Sequence, residues 1–176
     1  PPMIPMRWQA CLPMWPFVHG IGPSTIPQTL EGNMMAYWLF KSEPFKWSWE
    51  MQKARGEKGE QWDGVRNYLA RNNMRAMKIG DRGFFYHSNE GLEVVGIVEI
   101  CALSHPDSTT DDPRWDCVDI KAVRDVPKPV TLKDVKANPK LEKMALVTSM
   151  RLSVQPVTED EWIEVCRMGG LDAKDI

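Results

Sequence analysis

The chain contains no CxxC pair, no apolar run near the ~18 residues that would span a bilayer, and no excess of positive charge. Each absence excludes something. With a net charge of −2 and a pI near 6.0, the protein lacks the positive balance of a protein that grips long duplex by its phosphates. Any nucleic-acid binding must then be local, or directed at a base. Cys11, Cys101, Cys117 and Cys166 lie far apart and read as reduced, mostly buried thiols, with a cytoplasmic location expected. His19, His87 and His105 show no ligand spacing with them, so no structural zinc is expected. P-loop, GxGxxG, GxSxG and HExxH patterns are all missing. His87 beside Ser88 is no triad, because neighbours on a strand point to opposite faces. Asp107, Asp111 and Asp112 lack EF-hand spacing and read as a solvated loop, with a metal site as the other reading. No catalytic residue, metal, cofactor or membrane partner is expected.

Proline is unevenly spread. Seven of the fourteen prolines fall within residues 1–34, where no helical or alternating period survives. The apolar run Cys11–Val18 is short, broken by Pro13 and Pro16, and no small-residue cleavage site follows, which argues against a signal peptide. The pattern turns regular at Met34-Met35. Residues 1–34 are therefore expected to be an extension outside the fold, with the natural start near Met34 or Met35 and a domain over 35–172.

Within that domain, Ala36–Lys41 reads as an aromatic strand that exits through Ser42-Glu43-Pro44. Ser48 caps a helix from Trp49 to about Arg55. Asp63 is the expected cap of a helix over Val65–Met77, with Val65, Tyr68, Leu69, Asn72 and Ala76 on its core face. Arg71, Arg75 and Lys78 share another face, either solvated or facing phosphate. Further strands are expected at Phe84–Ser88, Leu92–Leu103 and Trp115–Val126, the last ended by Pro127 and Pro129. Gly96 marks a bulge or a close approach. Thr131 and Thr158 cap two later helices, the second with Glu161 completing a capping box. Arg151–Pro156 is a short strand. Strands broken by short helices, without βαβ alternation, predict an α+β domain with a small, barrel-like mixed sheet.

Polar residues gather at strand ends and at one helix start: Lys41-Ser42-Glu43, Trp62 to Asn67, and Tyr86-His87-Ser88. Trp62 offers a stacking face, and Asp63, Gly64, Arg66 and Asn67 surround it with donors and acceptors. If these stretches meet, they form an aromatic-walled pocket for a flat, polar-edged ligand, a binding site more readily than a reaction centre. Trp62 and Asn67 are the expected ligand-facing residues. Asp63 is expected to cap and Val65 to be core. Arg66 stays open between ligand contact and structural ion pair.

Five blocks resemble the EVE domain family: Tyr37 to Pro44, Trp62 to Tyr68, Ala70 to Lys78, Phe84 to Asn89, and Arg151 to Pro156. The likeness runs from about Ala36 to Gly170. It implies a PUA-like pseudo-barrel, and recognition of modified nucleobases, modified cytosine in DNA above all. A weaker likeness to YTH domains implies that Lys41, Ser42 and Trp62 face the ligand, with Trp47 and Tyr86 as candidate cage aromatics. Ser88 would join in reading the base edge, and Arg71, Arg75 and Lys78 would hold phosphate. The implied partner is nucleic acid or a free modified nucleobase, bound by a monomer. The rivals are an RNA-binding PUA-like module, an enzyme acting on a small nucleotide-like substrate, and a protein-interaction module.

Overall fold

A six-stranded mixed sheet carries the structure, a computed structural model that describes residues 35–176. The expected extension, residues 1–34, lies outside the described residues. Strand β1 (Tyr37–Ser42) comes first, and two helices follow: α1 (Trp49–Ala54) and, after the two-residue strand β2 (Glu60–Gln61), α2 (Tyr68–Ala76). Strands β3 (Arg82–His87), β4 (Glu93–Pro106) and β5 (Asp116–Thr131) form an antiparallel run. Helices α3 (Leu132–Ala137) and α4 (Ala145–Thr148), strand β6 (Val154–Val157) and helix α5 (Glu159–Met168) complete the chain. The strand order is β2-β5-β4-β3-β1-β6, and β1 pairs parallel with β3 and antiparallel with β6. The sheet is not closed, since β2 and β6 are its two edges. This is the expected α+β, PUA-like architecture, with an open sheet in place of a closed barrel.

Two cores lie on the two faces of the sheet, as strand alternation requires. Trp38 and Phe40 of β1 and Phe85 of β3 join Trp49, Trp62, Ala70 and Met74 on one face. Leu39, Phe84 and Tyr86 join Val135, Leu146, Trp162 and Val165 on the other. Each large side chain buried this way contributes about 1.5–3 kcal/mol. Apolar residues on both faces of β1 thus mean a sheet covered twice, with α1 and α2 on one side and α3, α4 and α5 on the other.

Several helix boundaries fall where the capping chemistry puts them. Ser48 accepts from Met51 N–H, Thr131 accepts from Asp134 N–H, and Thr158 and Glu161 form a reciprocal capping box. Helix α2 differs. Its cap is Asn67, whose side chain accepts from Ala70 N–H, so the helix starts three residues later than Asp63 as cap predicts. That shift turns the helix. Ala70 and Met74 face the core, whereas Tyr68 and Leu69 are exposed. Strand β5 also runs past Pro127 and Pro129, which are exposed, to pair Val130 with Val94 and Thr131 with Glu93. Proline is tolerated where the ladder is already irregular, and here the register shifts between Val94 and Gly96. Gly96 is both a bulge and a close approach: a Cβ there would meet the Trp49 ring at 2.2 Å.

Candidate functional site

A cavity of about 600 Å³ opens between the exit of β1, the segment before α1, and the stretch from β2 to Arg66. Its position follows from the sheet order. Lys41, Ser42 and Glu43 line it because β1 ends there, and Ser153 lines it from the segment that leads into β6. Trp62 and Trp47 supply aromatic walls. Trp62 is held by its own backbone, whose N–H donates to Val118 O at 2.8 Å, and by edge contacts to Phe40 and Phe85 with ring centroids 5.2 and 5.7 Å away. Its indole N–H donates to no described residue. The Trp47 indole N–H donates to Gln52 Oε1 at 2.9 Å, and Ser42 Oγ donates to Trp47 O at 2.7 Å, so the second wall is pinned to the strand end.

The turn after Trp62 is built by a residue remote in sequence. Asp107, only 2% exposed, comes from the loop between β4 and β5. Its carboxylate accepts from Gly64 N–H at 2.9 Å, Arg66 Nη1 at 2.6 Å, and both the N–H and hydroxyl of Thr109. Burial alone would raise its pKa, but the hydrogen bonds from Thr109, Arg66 and Gly64 outweigh it and hold the group at about 2. Gly64 adopts φ +70, a conformation that favours glycine, and so offers its N–H to this carboxylate.

The charges around the cavity are not all neutralised. Glu43 pairs with Lys46, Arg55 with Glu60, and Arg66 with Asp107. Lys41 has no carboxylate partner among the described residues. Its Nζ donates to Met150 O at 3.1 Å, and burial pushes its pKa down to about 8. Asp63 is the matching acid: it lines the cavity and caps no helix. Burial, and then the nearby charges of Asp107 and Glu60, raise its pKa above the ordinary 3.8. A carboxylate and an ammonium, set beside two indoles, can hydrogen-bond the edge of a flat heterocycle while its faces are stacked.

Of the residues expected to line a site, the fold brings together Lys41, Ser42, Glu43, Trp62, Gly64 and Arg66. It separates the others. Asn67 is spent on capping α2. Tyr86 points to the opposite face of the sheet, into the core with Leu39 and Trp162, because it pairs with Lys41 in a register that puts Phe85 on the Trp62 side. His87 Nε2 accepts from Trp49 N–H, and Ser88 is tied by its own N–H to Ser42 O; neither lines the cavity. Arg71 and Arg75 of α2, and Lys78 just after it, lie outside the cavity. Arg75 is paired with Asp116, Arg71 donates to Arg114 O at 2.9 Å, and Lys78 is exposed. Arg66 closes a structural ion pair with Asp107 and also lines the cavity.

Two features had no clear sequence signal. Asp107 looks like one acid in a polar loop and is a buried anchor instead. Cys117, His105 and Asp119 come together, with the thiol 3.7 Å from the imidazole and His105 Nε2 2.8 Å from Asp119 Oδ1. That grouping resembles a nucleophilic relay, but Cys117 is fully buried and burial pushes its thiol up to about 12, so it stays protonated. Among the described residues no cluster of His, Cys, Asp or Glu is suited to a metal, and no helix is long and apolar enough to cross a membrane. A second cavity of about 530 Å³, between Lys128–Val130 and Arg167-Met168, has no aromatic wall, and its Arg167 is paired with Glu164.

Fold and cavity together define an α+β domain of the PUA-like kind with a polar, indole-walled pocket at one strand end. The chain belongs to the EVE domain family, whose sequence profile matches residues 36–168. It is 38% identical over 162 residues to mouse thymocyte nuclear protein 1, covering 74% of this chain and 72% of that protein. It is also similar to two solved structures. One is an Agrobacterium tumefaciens protein, 82% identical, with a TM-score of 0.77 over 77% of this chain and 94% of that one. The other is the human THYN1 protein in complex with 5-methylcytosine containing DNA, 35% identical, with a TM-score of 0.72 over 76% and 97%.

Proposed function

We propose that this domain binds nucleic acid by taking one base, a modified cytosine, into the pocket beside Trp62. The observation that carries the reading is a pocket lined by two indoles together with two charged residues, Lys41 and Asp63, that close no ion pair among the described residues. Kinship with the human THYN1 protein, solved with 5-methylcytosine containing DNA, supports the same choice of ligand. Trp62 and Trp47 sandwich the ring, a contact worth about 1–3 kcal/mol per stacking face. That offsets the few kcal/mol needed to unstack a base from its strand. Asp63 accepts from the exocyclic amino group of cytosine, the contact an acidic side chain makes with that base, and the Lys41 ammonium donates to the ring carbonyl. The Ser42 hydroxyl donates to Trp47 O and keeps its lone pairs to accept from the ligand. A positive pocket edge is not required, since the ligand is read by its base and not by a long run of phosphates.

The test is a titration of short DNA and RNA oligonucleotides that carry unmodified, 5-methylated or 5-hydroxymethylated cytosine. A preference for a modified cytosine is expected, and Asp63→Asn, which turns one acceptor into a donor, should lower that affinity at least tenfold while the protein stays folded. Equal binding of modified and unmodified strands, or undiminished binding by Asp63→Asn, would overturn the assignment. Trp62→Phe is the informative change at the wall: Trp62 is buried among Phe40 and Phe85, so truncation to alanine would confound binding with folding.

A further inference from the structure

Next to the pocket, α2 and the loop before β5 form an exposed ridge that the fold itself does not need. The Tyr68 ring stacks on Trp115, with centroids 5.0 Å apart and planes 28° from parallel. Tyr68 is 53% exposed and opens a helix that buries Ala70 and Met74 and leaves Leu69 exposed beside it. Arginines lie against the pair. The Arg71 guanidinium lies 5.0 Å from the Tyr68 ring centre and 6.0 Å from that of Trp115, and Arg66 lies 5.7 Å from Trp115. Arg66 also lines the pocket, so the ridge and the pocket share a side chain and form one surface.

The charges on this ridge are unequal. Arg66 is paired with Asp107, Arg75 with Asp116, and Arg114 with Asp112. Arg71 has no acidic partner among the described residues; it donates only to Arg114 O and Asn72 Oδ1. The ridge therefore presents stacked aromatic faces beside a cation whose charge is not neutralised. A platform that stacks bases and a cation beside it that meets phosphate are what an unpaired nucleic-acid strand requires.

We propose that the Tyr68–Trp115 ridge is a second subsite, which stacks the base next to the one in the pocket while Arg71 holds the phosphate between them. This rests on the pocket binding a base, and it adds that the domain reads a strand and not a lone nucleobase. The occupant is a nucleotide that has been unstacked from its duplex partner or belongs to a single strand. Trp115 is the inner layer, held by Tyr68 and Arg66, and Tyr68 is the outer, ligand-facing ring.

The test combines Tyr68→Ala and Arg71→Gln with single-stranded oligonucleotides holding one 5-methylcytosine, in which the neighbouring base is either present or replaced by an abasic spacer. Wild-type protein should lose about tenfold in affinity when the neighbouring base is removed. Tyr68→Ala should show that same loss on the intact strand and no further loss on the abasic one, whereas Tyr68→Phe should bind as wild type. Arg71→Gln should reduce the salt dependence of log K by about one phosphate's worth. Binding of the free nucleoside 5-methylcytidine should be the same in all variants. Equal affinity for intact and abasic strands, or a Tyr68→Ala loss that is the same for nucleoside and strand, would overturn the subsite. If the strand binds in a Tyr68-dependent way without preference for the modified base, the ridge stands and the pocket assignment fails. If wild-type protein binds no strand, both fall.

Discussion

Asp63 and Asp107 meet at one turn of the fold from distant segments, and the fold treats them oppositely. The pKa of Asp63 is raised, by burial first and then by Asp107 and Glu60, so its ionised form costs stability above its folded-state pKa. That cost disappears as pH falls through this value towards the ordinary 3.8. Asp63→Asn at neutral pH should therefore leave the melting temperature unchanged or raise it, while base binding weakens. Thermal melts and titrations on the same sample check this, and a marked fall in melting temperature would mean that Asp63 is structural. Asp107 is the reverse case. Its carboxylate organises Gly64, Arg66 and Thr109, so Asp107→Ala removes the acceptor these donors share and should cost about 1–3 kcal/mol in urea unfolding. Trp62 was legible as a pocket wall because a large ring amid polar neighbours has few other uses. Asp107 was not, because its partners lie more than forty residues away in sequence.

At the scale of elements, α2 carries the main correction. Asn67, expected to face the ligand, is a cap, and capping is a local bond between a side chain and a backbone N–H three residues on. Asp63, Asn67 and the glycine between them all suit a helix entry, so propensity alone did not choose among them. Asn67→Ala should cost about 1 kcal/mol, Asn67→Ser nearly nothing, and neither should alter base preference. Urea midpoints and oligonucleotide titrations distinguish this from ligand contact, which would weaken binding in both variants. The α1–β4 contact is the other sensitive element. Trp49 lies over Gly96, and its indole N–H donates to Asp125 at 2.6 Å. Because a ring and its hydrogen bond must both move to admit a methyl group, Gly96→Ala should cost at least the roughly 1–3 kcal/mol typical of overpacking, read as a lower urea midpoint. Gly96 was legible from the sequence as a bulge or close approach, but the residue that approaches it was not.

For the molecule as a whole, acid is the natural stress. Asp107 and Glu164 both have folded-state pKa values held at about 2: Asp107 by the hydrogen bonds that overcome its burial, Glu164 by Arg167 and Asn138, with Lys140 adding to them. Each contributes stability that is complete above its ordinary pKa, 3.8 and 4.5, and is lost as pH falls towards 2. Unfolding free energy should accordingly fall between about pH 4.5 and pH 2, and Asp107→Asn should flatten that slope while lowering the plateau above it. Urea unfolding at stepped pH checks both. The two acids come from distant segments, one under the pocket turn and one on α5, so the acid response belongs to the tertiary structure. What the amino-acid sequence determined by itself was local or repetitive. Strand alternation and aromatic content marked β1 and β3, Ser48, Thr131 and Thr158 marked their helices, and an irregular order of elements excluded a doubly wound sheet. Five blocks in order carried the likeness to the EVE domain family. What only the tertiary structure decided was which polar residues meet. A one-residue step along β3 sends Tyr86 and Phe85 to opposite cores, and α2, capped four residues later than Asp63, leaves Tyr68 exposed. A buried carboxylate from another loop sets the turn that leaves Asp63 at the pocket. Those outcomes depend on register and long-range pairing, which no stretch of sequence encodes alone.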